Sequence, residues 1–209
     1  MEETALFNRC DLKKKYNEAP FTTVVNGMSI NMTRAGGLLC PSASVFTSQN
    51  TAESGWLTTH AYAVLGPRGT NPATGTDYSR CTSGGFGWPA MQGVLGINSK
   101  HSLKDVTDGS SSTLLTGELS WDDANVFRAW TRGYDSGACA SGKSLWYSLR
   151  STPYGALNTF NSVSFGSNHP QGCHFGMADG SVQFISETVS LETLTSLASR
   201  NGREVVALP

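Results

Sequence analysis

Apolar and polar positions alternate most regularly near the C-terminus of the chain. Phe175, Met177, Val182 and Phe184 flank the pair Asp179-Gly180. An Asp-Gly pair favours a two-residue type I′ turn, because both central residues of that turn need positive φ. We therefore predict a β-hairpin over residues 173–186 that pairs Met177 with Val182 and Phe175 with Phe184 on one face. The opposite face would then carry His174, Gly176, Gln183 and Ile185.

A helix is predicted directly after this hairpin. Ser190 is its expected N-cap, and Glu192 lies near the positive end of the helix dipole. Asn201-Gly202 supplies a left-handed end, and residues 205–208 are predicted to add an edge strand. The apolar stripe at helical spacing consists of Leu191, Leu194, Leu197 and Ala198.

The pattern before the hairpin predicts only short elements. Residues 2–9 have the character of the last turns of a helix, and short strands are expected at 38–40, 56–65 and 113–121. Pro41 and Gly66-Pro67 end two of these strands, and the turn signal Asp108-Gly109 precedes the third. Residues 66–90 and 122–160, which are rich in Gly, Ser, Thr and Pro, are predicted to form long loops.

Length and charge narrow the function classes. The 209 residues, with a net charge of −1, fit a single domain over residues 1–209, and they carry no basic stripe for nucleic acid. No run of 18 or more apolar residues is present, so this chain as given is not predicted to span a membrane. The first helix lacks an N-cap, which favours the interpretation that a preceding anchoring part of it has been removed.

The five cysteines contain no C-x-x-C pair, which argues against a zinc knuckle. Cys81 and Cys139 lie in Gly/Ser-rich loops, where a disulfide would stabilise the chain in an oxidising compartment. A bridge between these two residues is a hypothesis, and buried thiols are the alternative. The odd total leaves at least one cysteine unpaired within a monomer.

Catalytic and metal-binding chemistry find little support in the sequence. The chain has neither a G-x-S-x-G nor an H-E-x-x-H motif, so we do not predict an enzyme. His169, His174 and Asp179 are not expected to share a metal, because the predicted hairpin separates His174 from Asp179 by roughly 15 Å. No cofactor is predicted. Asp105 and Asp108 offer oxygen ligands for calcium, but the alternative is that Asp108-Gly109 is only a turn.

Tryptophans in the loops are the other candidates for ligand contact. Their rings could stack on sugars or on a protein partner, and the alternative is that they fill small cores beneath the loops. The candidate positions are Trp56, Trp88, Trp130 and Trp146.

Four ordered blocks of the chain resemble one bacterial family. His169 is followed, after nine residues, by Asp179-Gly180, which is similar to the C-terminal H-X9-DG signature of a prepilin-type family of unknown function. Cys40-Pro41-Ser42 resembles a strand end of that family, and residues 105–113 with Asp108-Gly109 resemble its central block. Residues 3–8 are similar to the stretch after its N-terminal helix.

This resemblance implies an α+β, pilin-like architecture: an antiparallel β-sheet with few short helices and long loops, packed on an N-terminal helix that is truncated here. The hairpin and helix at 165–209 would be its C-terminal block. The implied function is a non-catalytic pseudopilin or pilin-like subunit of a type II secretion or type IV pilus-like assembly.

The expected partners are other pilin-like subunits and the secretion or pilus machinery. The expected location is the periplasm or cell surface, with attachment to the inner membrane only through the missing helix. The alternative is an extracytoplasmic module that binds polysaccharide or another extracellular ligand.

Overall fold

The computed structural model describes residues 3–80, 90–96, 99–120, 129–132, 143–145, 165–204 and 206. Helix α1 (Thr4–Phe7) is followed by strands β1 (Ala61–Pro67), β2 (Leu114–Glu118), β3 (Lys143–Leu145), β4 (Gly172–Met177) and β5 (Val182–Ser186), and helix α2 (Leu191–Leu197) comes last. Single 3-10 turns lie at Ile30–Met32, Gly36–Leu38, Thr51–Glu53, Leu103–Asp105 and Ser110–Ser112. No helix in these ranges combines the length and apolarity needed to cross a bilayer.

The strands form one sheet in the order β3-β1-β2-β4-β5. β1 pairs with β2, β2 with β4 and β4 with β5, all antiparallel, while β3 lies parallel to β1 at one edge. A mainly antiparallel sheet with few short helices confirms the predicted α+β class. The packing of this sheet on an N-terminal helix and the single-domain organisation stay predictions.

The main core lies between the sheet and α2. Leu194 and Leu197 of α2 are almost fully buried and pack on one face of the sheet. This packing stabilises α2, because a helix of seven residues is only marginally stable by itself. The sheet and its flanks supply Val64, Leu114, Phe165, Cys173, Phe175, Met177 and Ile185.

Gly117, the next-to-last residue of β2, makes room for two rings of this core. The rings of Phe165 and Phe175 pack edge to face with centroids 5.3 Å apart. A Cβ built on Gly117 would lie 2.5 Å from Phe165 and 2.6 Å from Phe175. The absence of a side chain at Gly117 therefore allows the rings to cover the strand.

The C-terminal hairpin exists, but its predicted register is wrong by one residue. His174 faces Phe184 and Gly176 faces Val182. The turn has three residues, because the N–H of Met177 donates to Ser181 O at 2.8 Å and the N–H of Gly180 donates to Met177 O at 3.0 Å. Only Gly180 has positive φ (89°), as in a type I turn followed by a glycine bulge.

This slip of one residue turns the side chains of β5 to the other face. Ile185 was expected on the other face of the hairpin from Phe175 and Met177, but it is fully buried together with them. Val182 and Phe184 are instead 65% and 45% exposed. The prediction that Val182 and Phe184 share one face with Phe175 and Met177 is therefore wrong.

Helix α2 begins as predicted, since the Ser190 hydroxyl accepts the N–H of Thr193 at 3.0 Å. Its end differs from the prediction. The residue with left-handed backbone is Arg203 (φ 68°), not Asn201 or Gly202. The N–H groups of Gly202 and Arg203 donate to the carboxylate of Asp108 at 2.6 and 3.0 Å, and this carboxylate holds the chain after the helix.

The other predicted elements are partly found. α1 lies within residues 2–9, and β1 and β2 overlap the strands predicted at 56–65 and 113–121. No strand forms at 38–40, where a 3-10 turn ends at Leu38. The predicted loop at 66–90 begins with the end of β1, and the one at 122–160 contains β3. Most of the edge strand predicted at 205–208 lies outside the described residues.

Candidate functional site

The end of β2 is where polar side chains converge. Beyond Gly117, which pairs with Phe175, the strand leaves β4 and pairs instead with Gly166. The carbonyl of Glu118 accepts the N–H of Gly166 at 3.0 Å, and the N–H of Ser120 donates to Gly166 O at 2.7 Å. This divergence leaves a space between the end of β2 and the start of β4 that the Glu118 side chain enters.

The carboxylate of Glu118 contacts two histidines. Its Oε2 accepts the backbone N–H of His174 at 2.7 Å and lies 3.3 Å from His174 Nδ1. Its Oε1 lies 3.6 Å from His169 Nε2. The Glu118 side chain is 20% exposed, so these contacts are only partly screened by water.

The segment before β4 positions His169. The N–H of His169 donates to Ser167 Oγ at 3.1 Å, and that hydroxyl donates to Gly172 O at 2.7 Å. Gln171 adopts a left-handed backbone (φ 67°), which turns the chain back into β4. As a result the His169 ring stands edge to face against the His174 ring, with centroids 4.9 Å apart.

Cys40 is held beside these groups by a buried histidine. The N–H of Cys40 donates to His60 Nδ1 at 3.0 Å, and His60 Nε2 lies 2.7 Å from the carbonyl oxygen of Val45. Since Nδ1 accepts and Nε2 donates, the His60 ring is the neutral tautomer with its proton on Nε2. His60 is 1% exposed and links two loop segments by these bonds.

Three possible donor atoms therefore meet at one place. The sulfur of Cys40, a carboxylate oxygen of Glu118 and a ring nitrogen of His169 all lie within 4.8 Å of one another, and each residue is half-buried. Beside them is a shallow depression, open to solvent, whose lining includes Cys40, His60 and Glu118. Cys40 is a free thiol.

The resemblance motifs fall into two groups at opposite ends of β2. Cys40-Pro41 and His169 lie near Glu118, the last residue of the strand. Asp179-Gly180 and Asp108-Gly109 lie near Leu114, the first one: the N–H of Asp179 donates to Ser110 O at 3.0 Å, and the N–H of Ala178 donates to Thr113 O at 2.8 Å. The two Asp-Gly segments thus pack against each other, away from the histidines.

The carboxylates of this second group are bound to the chain itself. Asp179 Oδ1 accepts the N–H of Ser181 at 2.9 Å and its hydroxyl at 2.7 Å, and these bonds hold the pKa of Asp179 below its usual range. Asp105 accepts the N–H of Ser102 at 2.7 Å, which likewise lowers its pKa. Asp105 caps its own turn through Oδ2, whereas both oxygens of Asp108 accept N–H groups from the segment after α2.

The described tryptophans pack within the protein. Trp56 is half-buried and meets the Tyr16 ring edge to face at 6.0 Å. Trp130 packs against a small cluster formed by Leu6, Phe21, Ile30 and Ala35. Trp88, Trp146, Cys81 and Cys139 lie outside the described residues, so the predicted ligand contacts there and the Cys81–Cys139 bridge stay hypotheses.

Sequence reasoning did not select Glu118 or His60 as site residues. Glu118 is an acid at the end of a strand, where an exposed carboxylate is the common case. His60 begins no motif and precedes β1. One signal for Glu118 was present in the sequence. It ends the five-residue strand that directly follows the block at residues 105–113, and this places it at one end of the sheet.

Comparison with known proteins places most of the chain in one family. The sequence model of a family described as "Protein of unknown function (DUF1559)" matches residues 1–192. No curated protein and no solved structure matches this chain.

Proposed function

The chain belongs to the DUF1559 family of proteins of unknown function, and from this premise we propose that it is a non-catalytic, pilin-like subunit of the bacterial cell envelope. In this proposal it faces the periplasm or cell surface and acts in a type II secretion or type IV pilus-like assembly. Its partners are other pilin-like subunits and the machinery that assembles them.

The observation that carries the non-catalytic part of the proposal is how Asp108, Asp179 and the buried His60 are bonded. The carboxylates of Asp108 and Asp179 bind backbone N–H groups of neighbouring segments. His60, the buried imidazole of the site, has both ring nitrogens bonded to the main chain. Groups used in this way fix loops on a sheet and are not available to move protons or attack a substrate.

The N-terminal helix gives secondary support. Leu6 of α1 is buried in a cluster with Phe21 and Ile30, whereas Phe7 on the same helix is 60% exposed. A short helix that is docked through Leu6 and exposes Phe7 is compatible with a subunit that packs against further helices.

The experiment is to follow the complete gene product in the cells that carry its gene. A C-terminal epitope tag, cell fractionation and a strain lacking prepilin peptidase would show its location and processing. We expect an envelope protein whose mobility on a gel increases only when the peptidase is present. A cytoplasmic product, or one whose size does not depend on the peptidase, would contradict the proposal.

The extracytoplasmic binding module ranks second because Trp56 and Trp130, the described candidates for ligand contact, are engaged with Tyr16 and with the Leu6 cluster. A secreted product that the peptidase does not process would favour it over the subunit.

A further inference from the structure

We propose that Cys40, Glu118 and His169 form a zinc-binding site. The inference goes beyond the proposed function and does not depend on it, since a site of this kind is compatible with any cellular location. It rests on the types of the three donor atoms, on their spacing and on the bonds that hold them.

The donor types suit zinc. A thiolate, an imidazole nitrogen and a carboxylate oxygen are the three ligand classes that Zn²⁺ takes in proteins. A sulfur donor also disfavours Ca²⁺ and Mg²⁺, which prefer sets made of oxygen alone.

The spacing is close to that of a tetrahedral site. With Zn–N and Zn–O bonds near 2.1 Å and Zn–S near 2.3 Å, ligand atoms in a tetrahedron are about 3.4–3.6 Å apart. His169 Nε2 and Glu118 Oε1 are 3.6 Å apart, and all three donors lie within 4.8 Å of one another. Closing the remaining gap needs a shift of about 1 Å, which side-chain rotation can supply.

Each of the three residues is anchored by a hydrogen bond, through its carboxylate for Glu118 and through its backbone N–H for Cys40 and His169. The other oxygen of Glu118 accepts the N–H of His174 at 2.7 Å. The Cys40 N–H is fixed by His60, and the His169 N–H is fixed by Ser167 Oγ. Three protein ligands leave a fourth position for water, and the solvent-open depression lined by Cys40 and Glu118 gives water access to two of the three ligands.

A simple ion pair is the competing explanation. Glu118 could do no more than attract His169 and His174, whose nitrogens lie 3.6 and 3.3 Å from its oxygens. An ion pair does not need a thiol, whereas the zinc site does. Cys40 is therefore the residue that separates the two explanations.

The test uses the purified 209-residue chain, reduced and stripped of metal by a chelator. Zn²⁺ is titrated by calorimetry, and Co²⁺ is added as a spectroscopic probe of thiolate ligation. We expect one Zn²⁺ per chain and a thiolate-to-cobalt charge-transfer band. Cys40→Ser should abolish the band, and Cys40→Ser, Glu118→Gln and His169→Gln should each weaken Zn²⁺ binding by about tenfold or more.

Cys10→Ser and His101→Gln are the matched controls, since Cys10 is a half-buried thiol outside the site and His101 is exposed. Both should bind Zn²⁺ as the wild type does. Binding that survives Cys40→Ser unchanged, or that falls equally with Cys10→Ser, would overturn the proposal, as would a wild-type chain that binds no Zn²⁺.

A readout on the wild type covers the case in which Cys40→Ser does not fold. Zn²⁺ should protect Cys40, but not Cys10, from alkylation, as read by peptide mass spectrometry. Equal alkylation of Cys40 with and without Zn²⁺ would refute the site, as would a Co²⁺ spectrum without the charge-transfer band.

Discussion

Glu118 Oε2 accepts the backbone N–H of His174 at 2.7 Å, at the point where β2 has already turned away from β4. The preceding ladder pair joins Gly117 to Phe175, so Glu118 stands opposite His174. The Glu118 carbonyl, which would accept the His174 N–H in a continued ladder, accepts the N–H of Gly166 instead, and the Glu118 carboxylate takes its place as the acceptor for His174. This substitution lets the two strands separate while the N–H stays satisfied, and the separation makes room for His169.

Removing this acceptor should destabilise the metal-free protein. In Glu118→Ala the His174 N–H loses its partner in a half-buried position, for which we expect a loss of about 1–3 kcal/mol in the free energy of unfolding. Glu118→Gln retains an amide oxygen and should lose clearly less. Urea denaturation in the presence of a chelator measures both, and equal losses would contradict the role given to the acceptor.

Any side chain at position 180 should strain the backbone of the turn. The φ of Gly180 is 89°, and a Cβ there would meet no atom within 4 Å, so the effect of Gly180→Ala is one of backbone conformation alone. We expect a loss of about 1–2 kcal/mol in stability. Gly36→Ala, also in open space but without positive φ, is the control. Thermal unfolding of the two variants should separate them; coincident melting curves would show that the turn is misassigned.

Gly117→Ala tests the packing of the two rings over β2. Its new methyl group would overlap Phe165 and Phe175, so we expect a loss of about 1–3 kcal/mol from overpacking. Phe165→Leu should relieve part of this loss when it is combined with Gly117→Ala. A double-mutant cycle measures the coupling, and strictly additive effects would mean that the ring of Phe165 does not press on this position.

Glu53 should be among the most sensitive charged residues in the chain. It is 1% exposed, and its carboxylate accepts Ser48 Oγ at 2.6 Å, Ala129 N–H at 2.8 Å and Arg132 Nη1 at 2.7 Å. Glu53→Ala would remove the buried acceptor that these three groups share, at a cost of about 3 kcal/mol or more.

Glu18→Ala, on an exposed glutamate, is the control for this prediction. The two variants can be compared by chemical denaturation. A small effect of Glu53→Ala, similar to that of Glu18→Ala, would show that the segment at 129–132 is not held by this carboxylate.

Glu204→Gln should change how stability depends on pH. Burial raises the pKa of the Glu204 carboxyl above its ordinary value of 4.5, although the Tyr78 hydroxyl, which donates to it, acts in the opposite direction. Between 4.5 and the raised value the folded chain binds more protons than the unfolded one. Stability contributed by this group therefore falls as the pH rises through that window.

The Gln variant keeps an acceptor for Tyr78 and has no proton to lose. It should be more stable than the wild type at neutral pH, and the fall in stability just above pH 4.5 should be reduced. Thermal melts across the acidic range measure this, and wild-type and variant curves that run parallel would contradict the assigned pKa shift.

The sequence predicted the local elements well and the long-range ones poorly. The Ser190 cap follows from neighbouring residues, and the existence of the hairpin follows from Asp179-Gly180 and the flanking apolar positions. The register failed because the Asp-Gly pair also fits a three-residue turn with the glycine last, and this choice moves Ile185 into the core in place of Phe184. Nothing local distinguishes the two turns.

The candidate site was harder still to predict from the sequence. His169 and Cys40 were identified as motif residues, but their meeting depends on His60 and Glu118, which come from separate parts of the chain. The alternation of apolar residues specifies which face of a strand is buried. It does not specify where β2 leaves β4, and that departure places the carboxylate between the histidines.

The sheet order β3-β1-β2-β4-β5 has a consequence for how the protein forms during synthesis. β1 and β2 leave the ribosome first, and 53 residues separate Glu118 from Gly172 before β4 appears. Until then Val64 and Leu114 lack the core partners that β4, β5 and α2 contribute. Closing such a long loop is slow, whereas β4, β5 and α2 are contiguous and assemble locally. The core can therefore form only after the C-terminal segment has been synthesised. A chain truncated before α2 should keep apolar core residues exposed and should bind chaperones.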